Sequence, residues 1–560
     1  MVPHHFTLTM SKYPTILMRS NKSDDGRRRH GSMPIGWPRL PNTVIAGIAA
    51  VVLMLLVSRV SGQDYNWDLL NYHFASPQLL LSCRDGLNVA PSGLQSWFNP
   101  IGYIPAYLVI TSFPPWLASA ALATASGLNA PLIYLIADAI GADLPRDVRA
   151  GASYACVAIG MSGAIMFSEA GTTFLDSTLS IAVLFAIYVV IVGLRSPHRA
   201  VAHRCIAVAG VLVGATCGLK LTNVSMAVGM AGAIVLFVVR RRLSPVAIAV
   251  LALGGIIGFA LSGGWWAWRM WAMFGNPVFP MLNNLFRSPF APAVSVIDAT
   301  FLPRDWTGIV TYPWHWLVGD TTPGTELPMV DRRYPVALIA AGVVGIGAVV
   351  RSDRRGGRHD AALLVASFAL ITYFVWLFAF AILRYLVTIE LLSGVLLLAA
   401  LRLLPMANVR HIPVVMIVTA FVLSVTTQHA AWGRAPFTAD WFGARGITAV
   451  HRPGTVYVLP GDTPLGFLIH SFPDDARFVR LGGTFPLSTN DRLGARASDM
   501  IRVAPFVRSL AETPNDPEEI ATLRRFGLAI RLDQCRSITT KTATVKSCAL
   551  ALLTVPARSR

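Results

Sequence analysis

Charged residues are scarce in this 560-residue chain: Asp, Glu, Lys and Arg together make up 14%, against 54% hydrophobic residues. Such a composition excludes a soluble protein of several domains and requires a bilayer as solvent. Acids are scarcer still, 29 against 47 Lys and Arg, giving a formal net charge of +18. That excess would suggest nucleic acid only if it gathered on one polar face. It is instead spread over short loops between apolar runs, so no nucleic-acid partner is expected. Cysteine is sparse as well. Cys83, Cys156, Cys205 and Cys217 lack metal-ligand spacing, which excludes a zinc-ribbon or zinc-finger framework. No internal repeat, low-complexity linker or Gly-rich phosphate loop is present.

What the sequence does contain is long hydrophobic runs. A 19-residue window places the first near 44–57 and others near 115–140, 151–167, 177–194, 205–219, 223–239, 245–262, 334–350, 361–380, 386–403 and 412–428. The fold class expected is therefore an all-α polytopic membrane bundle of about 11 spans. Residues 1–42 read as a basic cytoplasmic tail carrying Arg27, Arg28 and Arg29, and the first run as an uncleaved signal-anchor. Arg146 and Arg149, then Arg195, Arg199 and Arg204, then Arg240 to Arg242, then Arg351, Arg354, Arg355 and Arg358, and finally Arg410 fall in alternate loops. By the positive-inside rule those loops are cytoplasmic, and 61–114, 263–333 and everything after 428 lie outside. The spans 205–219 and 223–239 are short, so a helical hairpin ending inside the protein at a polar tip is expected around Lys220.

Residues 429–560 alternate strand-like and helix-like stretches: Thr455 to Leu459 and Arg477 to Leu481 strand-like, Leu465 to Ser471 and Pro517 to Phe526 helical. They read as a small extracytoplasmic α/β domain, in which Cys535 and Cys548 either form a disulfide or remain two thiols.

Polar motifs that positive-inside charge does not explain gather at the expected outer helix ends. The first outer loop reads Asp64-Tyr65-Asn66-Trp67-Asp68-Leu69-Leu70-Asn71-Tyr72-His73, followed later by Asn99. In an α-helix Asp68, Asn71 and Tyr72 would share one face, suited to binding a metal or to activating a hydroxyl; a polar loop anchored by aromatic rings is the plainer alternative. A short second loop places Glu169 and Asp176 at adjoining helix ends, where they could hold a divalent cation, or where Asp176 could serve its helix dipole. Lys220 and Arg384 break the charge rule, and each asks for a partner: an anionic phosphate, or a charge pair such as Arg384 with Glu390. Tyr385 adjoins Arg384. The third outer segment, Gly263 to Asn284, brings Trp265, Trp266, Trp268 and Asn276 in a Gly-Asn-Pro-Val-Phe-Pro element, suited either to a sugar or to an aromatic belt.

Taken together, the acidic first loop, the second acid pair, the Gly-Leu-Lys-Leu-Thr tip, Gly-Asn-Pro-Val-Phe-Pro and the Arg384-Tyr385 pair resemble bacterial GT-C integral-membrane glycosyltransferases over about residues 43–404. The resemblance implies a GT-C-like bundle in the bacterial inner membrane that transfers a sugar, with inversion, from a polyprenyl-phosphate donor to an envelope glycan, lipid or protein acceptor. It implies Asp68 as general base or metal-assisted activator. Lys220 and Arg384 would contact the donor phosphate, and Asn71, Tyr72, His73, Asn99, Asn276 and Tyr385 the substrates. Glu169 and Asp176 would hold Mg or Mn. The tandem acid pair of some members is absent, since Leu69 follows Asp68. Two rival classes are a transporter or flippase, which would show inverted halves, and a non-catalytic envelope-assembly subunit, for which Asp68 would be dispensable.

Overall fold

The computed structural model describes residues 40–318, 324–350, 359–404 and 408–553. Arg27, Arg28 and Arg29 lie outside the described residues, as do Arg351, Arg354, Arg355 and Arg358. Among the described residues nine helices are long and apolar enough to cross a membrane, and the chain is a multi-pass membrane protein. The two remaining expected spans fall on shorter pieces. One is broken into Arg146–Met161 and Ala164–Glu169, and the other, Val409–Val425, is shorter than the nine.

Two expectations about the runs are corrected. The segment expected as a short span from 205 is the 21-residue helix Arg199–Leu219, and Leu221–Val239 follows with 19 residues. Both are long enough to span, so Lys220 sits at a break between two full-length helices; Arg199, His203 and Arg204 had masked the first turns from a hydropathy window. The third outer segment, in turn, starts as helix. Val246–Phe274 continues for 29 residues, about 43 Å at 1.5 Å per residue, which outruns a hydrocarbon core of about 30 Å. Trp265, Trp268 and Trp271 are exposed on its last turns, whereas Trp266 is buried and donates its indole N–H to the Trp97 carbonyl at 2.8 Å.

Small residues set the packing. Where Arg199–Leu219 meets Val246–Phe274, a Cβ on Gly258 would stand 2.0 Å from the Val211 carbonyl, and one on Gly214 2.1 Å from that of Gly255. In lipid, where burial of apolar surface no longer drives association, this close backbone approach is what holds helices together. Leu383–Leu401 is the central helix: 89% of its apolar window is buried inside the protein. Its Glu390 accepts hydrogen bonds from the N–H groups of Ile165 and Met166 and from the Tyr334 hydroxyl, and Asp331 accepts from Ala164 N–H. Two buried carboxylates thus cap the start of Ala164–Glu169.

After Val409–Val425 the chain crosses back over the bundle end and forms a five-stranded sheet of β1 (Thr455–Leu459), β2 (Arg477–Arg480), β3 (Phe506–Ala511), β4 (Leu528–Thr539) and β5 (Thr544–Leu552). The order is β2-β1-β3-β5-β4; β1 runs parallel to β2 and β3, and β5 antiparallel to β3 and β4. Helices Arg492–Val503 and Pro517–Arg525 fill the crossovers. A Cys535–Cys548 disulfide joins β4 to β5.

Candidate functional site

The first loop after Pro41–Ser61 is helical from Trp67, but from Leu69 to His73 the winding is that of a π-helix. A π turn closes over five residues instead of four, and such turns are frequent at functional sites. The wider turn breaks up the face expected for an α-helix. Asp68 and His73 come within electrostatic reach of each other. Asn71 turns away: its amide donates to the Ser92 carbonyl at 3.1 Å, and its oxygen accepts from Arg480 of β2 at 3.3 Å. Tyr72 is buried edge-on against Phe98 and Tyr103, and His73 stacks on Tyr103 at 4.1 Å.

Asp68 does not stand free. Its Oδ2 lies 2.7 Å from Nη1 of Arg384, at the outset of the central helix. Burial alone would push the Asp68 carboxyl up, but Arg384, with Lys220 behind it, holds it below the usual carboxylate range. Burial, with Lys220 and Arg384 nearby, pushes the His73 imidazole down to about 3 against the pull of Asp68, so the ring is neutral. A ring nitrogen, Nδ1, lies 2.8 Å from the Thr173 hydroxyl. The Arg384 guanidinium lies over the Phe174 ring at 4.7 Å and beside Tyr385 at 5.3 Å.

Lys220 completes the cluster. Its Nζ donates to both oxygens of Asp176 at 2.7 Å and lies 4.7 Å from the centre of the Tyr385 ring, so the two cations flank one phenol. Both expected lone cations are therefore paired already. Arg384 pairs with Asp68 and with Glu326, not with Glu390, because Glu390 lies deeper and is committed to the Ala164–Glu169 cap.

Asn99 and Asn276 hold backbone. Asn99 donates to the carbonyls of Gly218 and Ser262, tying together the two glycine-packed helices just before Lys220. Asn276 closes its own turn, accepting from Val278 N–H and donating to the Met281 carbonyl. That turn seats Phe279 in a stack with Phe274 and presents Pro277 and Val278 to a cavity of about 140 Å³. The cavity walls are mostly apolar, with Phe98, Leu219, Phe259, Trp266, Met281 and Phe380 among them; Lys220, Tyr72, Tyr103, Tyr385, Asn99 and Thr222 supply the polar groups.

Glu169 and Asp176 come together, yet their donor set does not fit a divalent cation. Glu169 Oε2 accepts Ser177 N–H at 3.0 Å and both Asp176 oxygens carry Lys220, which leaves Glu169 Oε1 as the one unengaged oxygen of the pair, and among the described residues no three His, Cys, Asp or Glu side chains converge as a metal-holding group.

Several participants carry no local sequence signal: Glu326, Thr173, Phe174, and the linker beyond the last membrane helix. In that linker Trp432 packs on Phe174 at 5.2 Å, and Arg434 donates to the carbonyls of Ser168 and Ala170. Only the lone acid in the Gly-Thr-Glu-Leu-Pro stretch could have marked Glu326.

No protein-family model matches the chain, and no curated protein matches it. Among solved structures it is similar to ArnT from Cupriavidus metallidurans in the apo state and to the same protein bound to undecaprenyl phosphate. Each alignment covers 91% of this chain and 98% of that one, at 13% identity and a TM-score of 0.41.

Proposed function

We propose that this protein is a membrane glycosyltransferase that moves a sugar from a polyprenyl-phosphate carrier to an acceptor of the cell envelope. One observation carries the reading: an ionised carboxylate, Asp68, and two cations, Lys220 and Arg384, gather around Tyr385 beside an apolar cavity among helix ends. The cavity suits an isoprenoid chain, the cations suit its phosphate, and the carboxylate suits an acceptor hydroxyl.

In this reading Asp68 takes the proton of the acceptor hydroxyl as its oxygen attacks the anomeric carbon from the face opposite the phosphate, inverting that centre. With its basicity lowered by Arg384, Asp68 accepts the proton late, once bond formation has acidified the hydroxyl. The phosphate leaves as a stable anion, and Lys220 and Arg384, in a water-poor setting, stabilise the charge that develops on it. Neutral His73, held between Thr173 and Tyr103, adds no charge beside Asp68. No step runs through a metal.

Charge and redox chemistry both bear on the orientation. The bundle end away from the site carries Arg149, Arg195, Arg242 and Arg402, engaged with Asp138, the Ala139 carbonyl, Asp360 and Asp143. The positive-inside rule favours a cytoplasmic placement of that end. The Cys535–Cys548 disulfide on the other side supports an oxidising compartment, the periplasm of a bacterial inner membrane. The test is transfer of label from a panel of polyprenyl-phosphate sugars in membranes carrying wild type, Asp68→Asn or Lys220→Ala at matched protein level. Wild-type-dependent transfer that collapses in both variants is expected; full activity of Asp68→Asn would overturn the proposal.

A further inference from the structure

Arg384 meets two carboxylates, and they are held differently. Asp68 takes Nη1 at 2.7 Å from within a helical turn, its side chain 11% exposed; Glu326 takes Nη2 at 3.1 Å with a side chain 30% exposed. The backbone around Glu326 is pinned. Gly324 accepts from Leu383 N–H at 2.7 Å, and Val330 exchanges two hydrogen bonds with Gln428 at 2.9 Å. The Glu326 side chain is thus the part free to move.

The charges then restrict how an anion can enter. Asp68, Asp176 and Glu326 already engage the two cations, and Lys220 has both Asp176 oxygens within 2.7 Å. An anionic ligand therefore meets no bare cation, and it gains a full two-point contact with Arg384 only by taking the place of a carboxylate. Arg384 shows which one. Its Nε is buried and has no hydrogen-bond acceptor among the described residues. Glu326 thus engages one donor of a two-donor edge, Nη2 and not Nε. A phosphodiester offers two non-bridging oxygens, and guanidinium pairs such groups in a two-point fork.

We infer that Glu326 is an internal stand-in for the ligand's phosphate: its carboxylate pairs with Nη2 of Arg384, and a polyprenyl-phosphate anion replaces it by taking both Nη2 and Nε. The inference rests on the proposed lipid-phosphate donor and deepens it. The preference for charge comes from Arg384, and Glu326 lowers it, because only an anion has to displace the carboxylate while a neutral polyprenol of the same length has nothing to exchange. Burial pushes the Glu326 carboxyl up against the pull of Arg384, which fits a group held with less than full commitment.

The test measures binding of polyprenyl phosphate and of polyprenol to the full-length protein in lipid nanodiscs, for wild type, Glu326→Gln, Arg384→Gln and the double variant. Removing an internal competitor raises apparent affinity by the inverse of the fraction in which Arg384 is free. Glu326→Gln is expected to bind the phosphate about tenfold tighter, with polyprenol unchanged and the gain absent in the Arg384→Gln background. A wild type that prefers the phosphate while Glu326→Gln binds it no tighter, or a gain that persists without Arg384, overturns the role of Glu326 and leaves the donor reading standing. Phosphate and polyprenol bound alike by both wild type and Glu326→Gln overturns the donor reading as well. A preference that emerges only in Glu326→Gln supports the exchange. If Glu326→Gln is not monodisperse, Glu326→Asp, one methylene shorter, is read in its place and is expected to shift affinity in the same direction.

Discussion

Asp68 and His73 lie one π turn apart and have opposite electrostatic fates. Arg384 keeps Asp68 ionised, whereas burial strips His73 of its proton. Asp68→Asn keeps the shape and removes the proposed base; transfer is expected to fall about 10²–10⁴-fold while binding of polyprenyl phosphate persists, as radiolabel transfer and lipid binding would report. For His73 the sign follows from its lowered value. The unfolded chain binds a proton near the ordinary 6.5, and the folded chain only near 3. Stability from this group is therefore complete above 6.5 and is lost as pH falls through that window. The His73 ring carbon resonances in ¹³C-histidine-labelled protein should stay flat between pH 5 and 8. A midpoint near 6.5 would contradict a buried neutral ring. The carboxylate at 68, the cations at 220 and 384 and the acids at 169 and 176 could all be singled out in the sequence, because polar residues at membrane helix ends are conspicuous. Their pairing could not, since Arg384 and Asp68 are 316 positions apart.

At the scale of elements, helix identity was readable and helix ends were not. Apolar runs mark spans whatever their neighbours do, but the extra length of Arg199–Leu219 and Val246–Phe274 comes from polar or aromatic turns that a hydropathy window discounts. The π turn at Leu69–His73 is likewise silent in sequence. It is fixed by Asn71 reaching Ser92 and Arg480 while His73 reaches Thr173. The glycine contact behind Lys220 gives a direct test. Gly258→Ala puts a methyl 2.0 Å from the Val211 carbonyl and should cost about 1–3 kcal/mol, seen as a lowered melting temperature in detergent. Gly342→Ala, with nothing within 4 Å of its added Cβ, should melt like wild type.

For the whole molecule, the sheet domain supports the site. Arg480 of β2 is buried and contacts Pro91, Gly461, Thr463 and Asn71, while a Cβ on Gly466 would stand 1.9 Å from the Asn71 carbonyl. Ending the chain after residue 428 should therefore abolish transfer and lower the melting temperature of the remaining bundle, instead of merely changing acceptor choice. Titration of full-length protein offers a milder probe. Burial, with Asp516 nearby, pushes Glu519 up to about 7 from an ordinary 4.5. Between those values the folded domain holds a proton that the unfolded chain has released, so stability falls as pH rises through that window. Glu519→Gln should flatten this dependence, measured as hydrogen exchange of the sheet domain at pH 5 and pH 8.

By itself the sequence determined that the chain lives in a bilayer, about where its helices run, that an α/β unit follows them, and which polar residues gather at one set of helix ends. Those follow from local composition, which acts wherever a segment lies. Only the tertiary structure decided that the two cations are already paired, that Glu326 shares Arg384 with Asp68, and that Asn99 and Asn276 hold backbone. Each of these depends on a distance between segments far apart in the chain, fixed by glycine packing and buried hydrogen bonds that no single segment encodes.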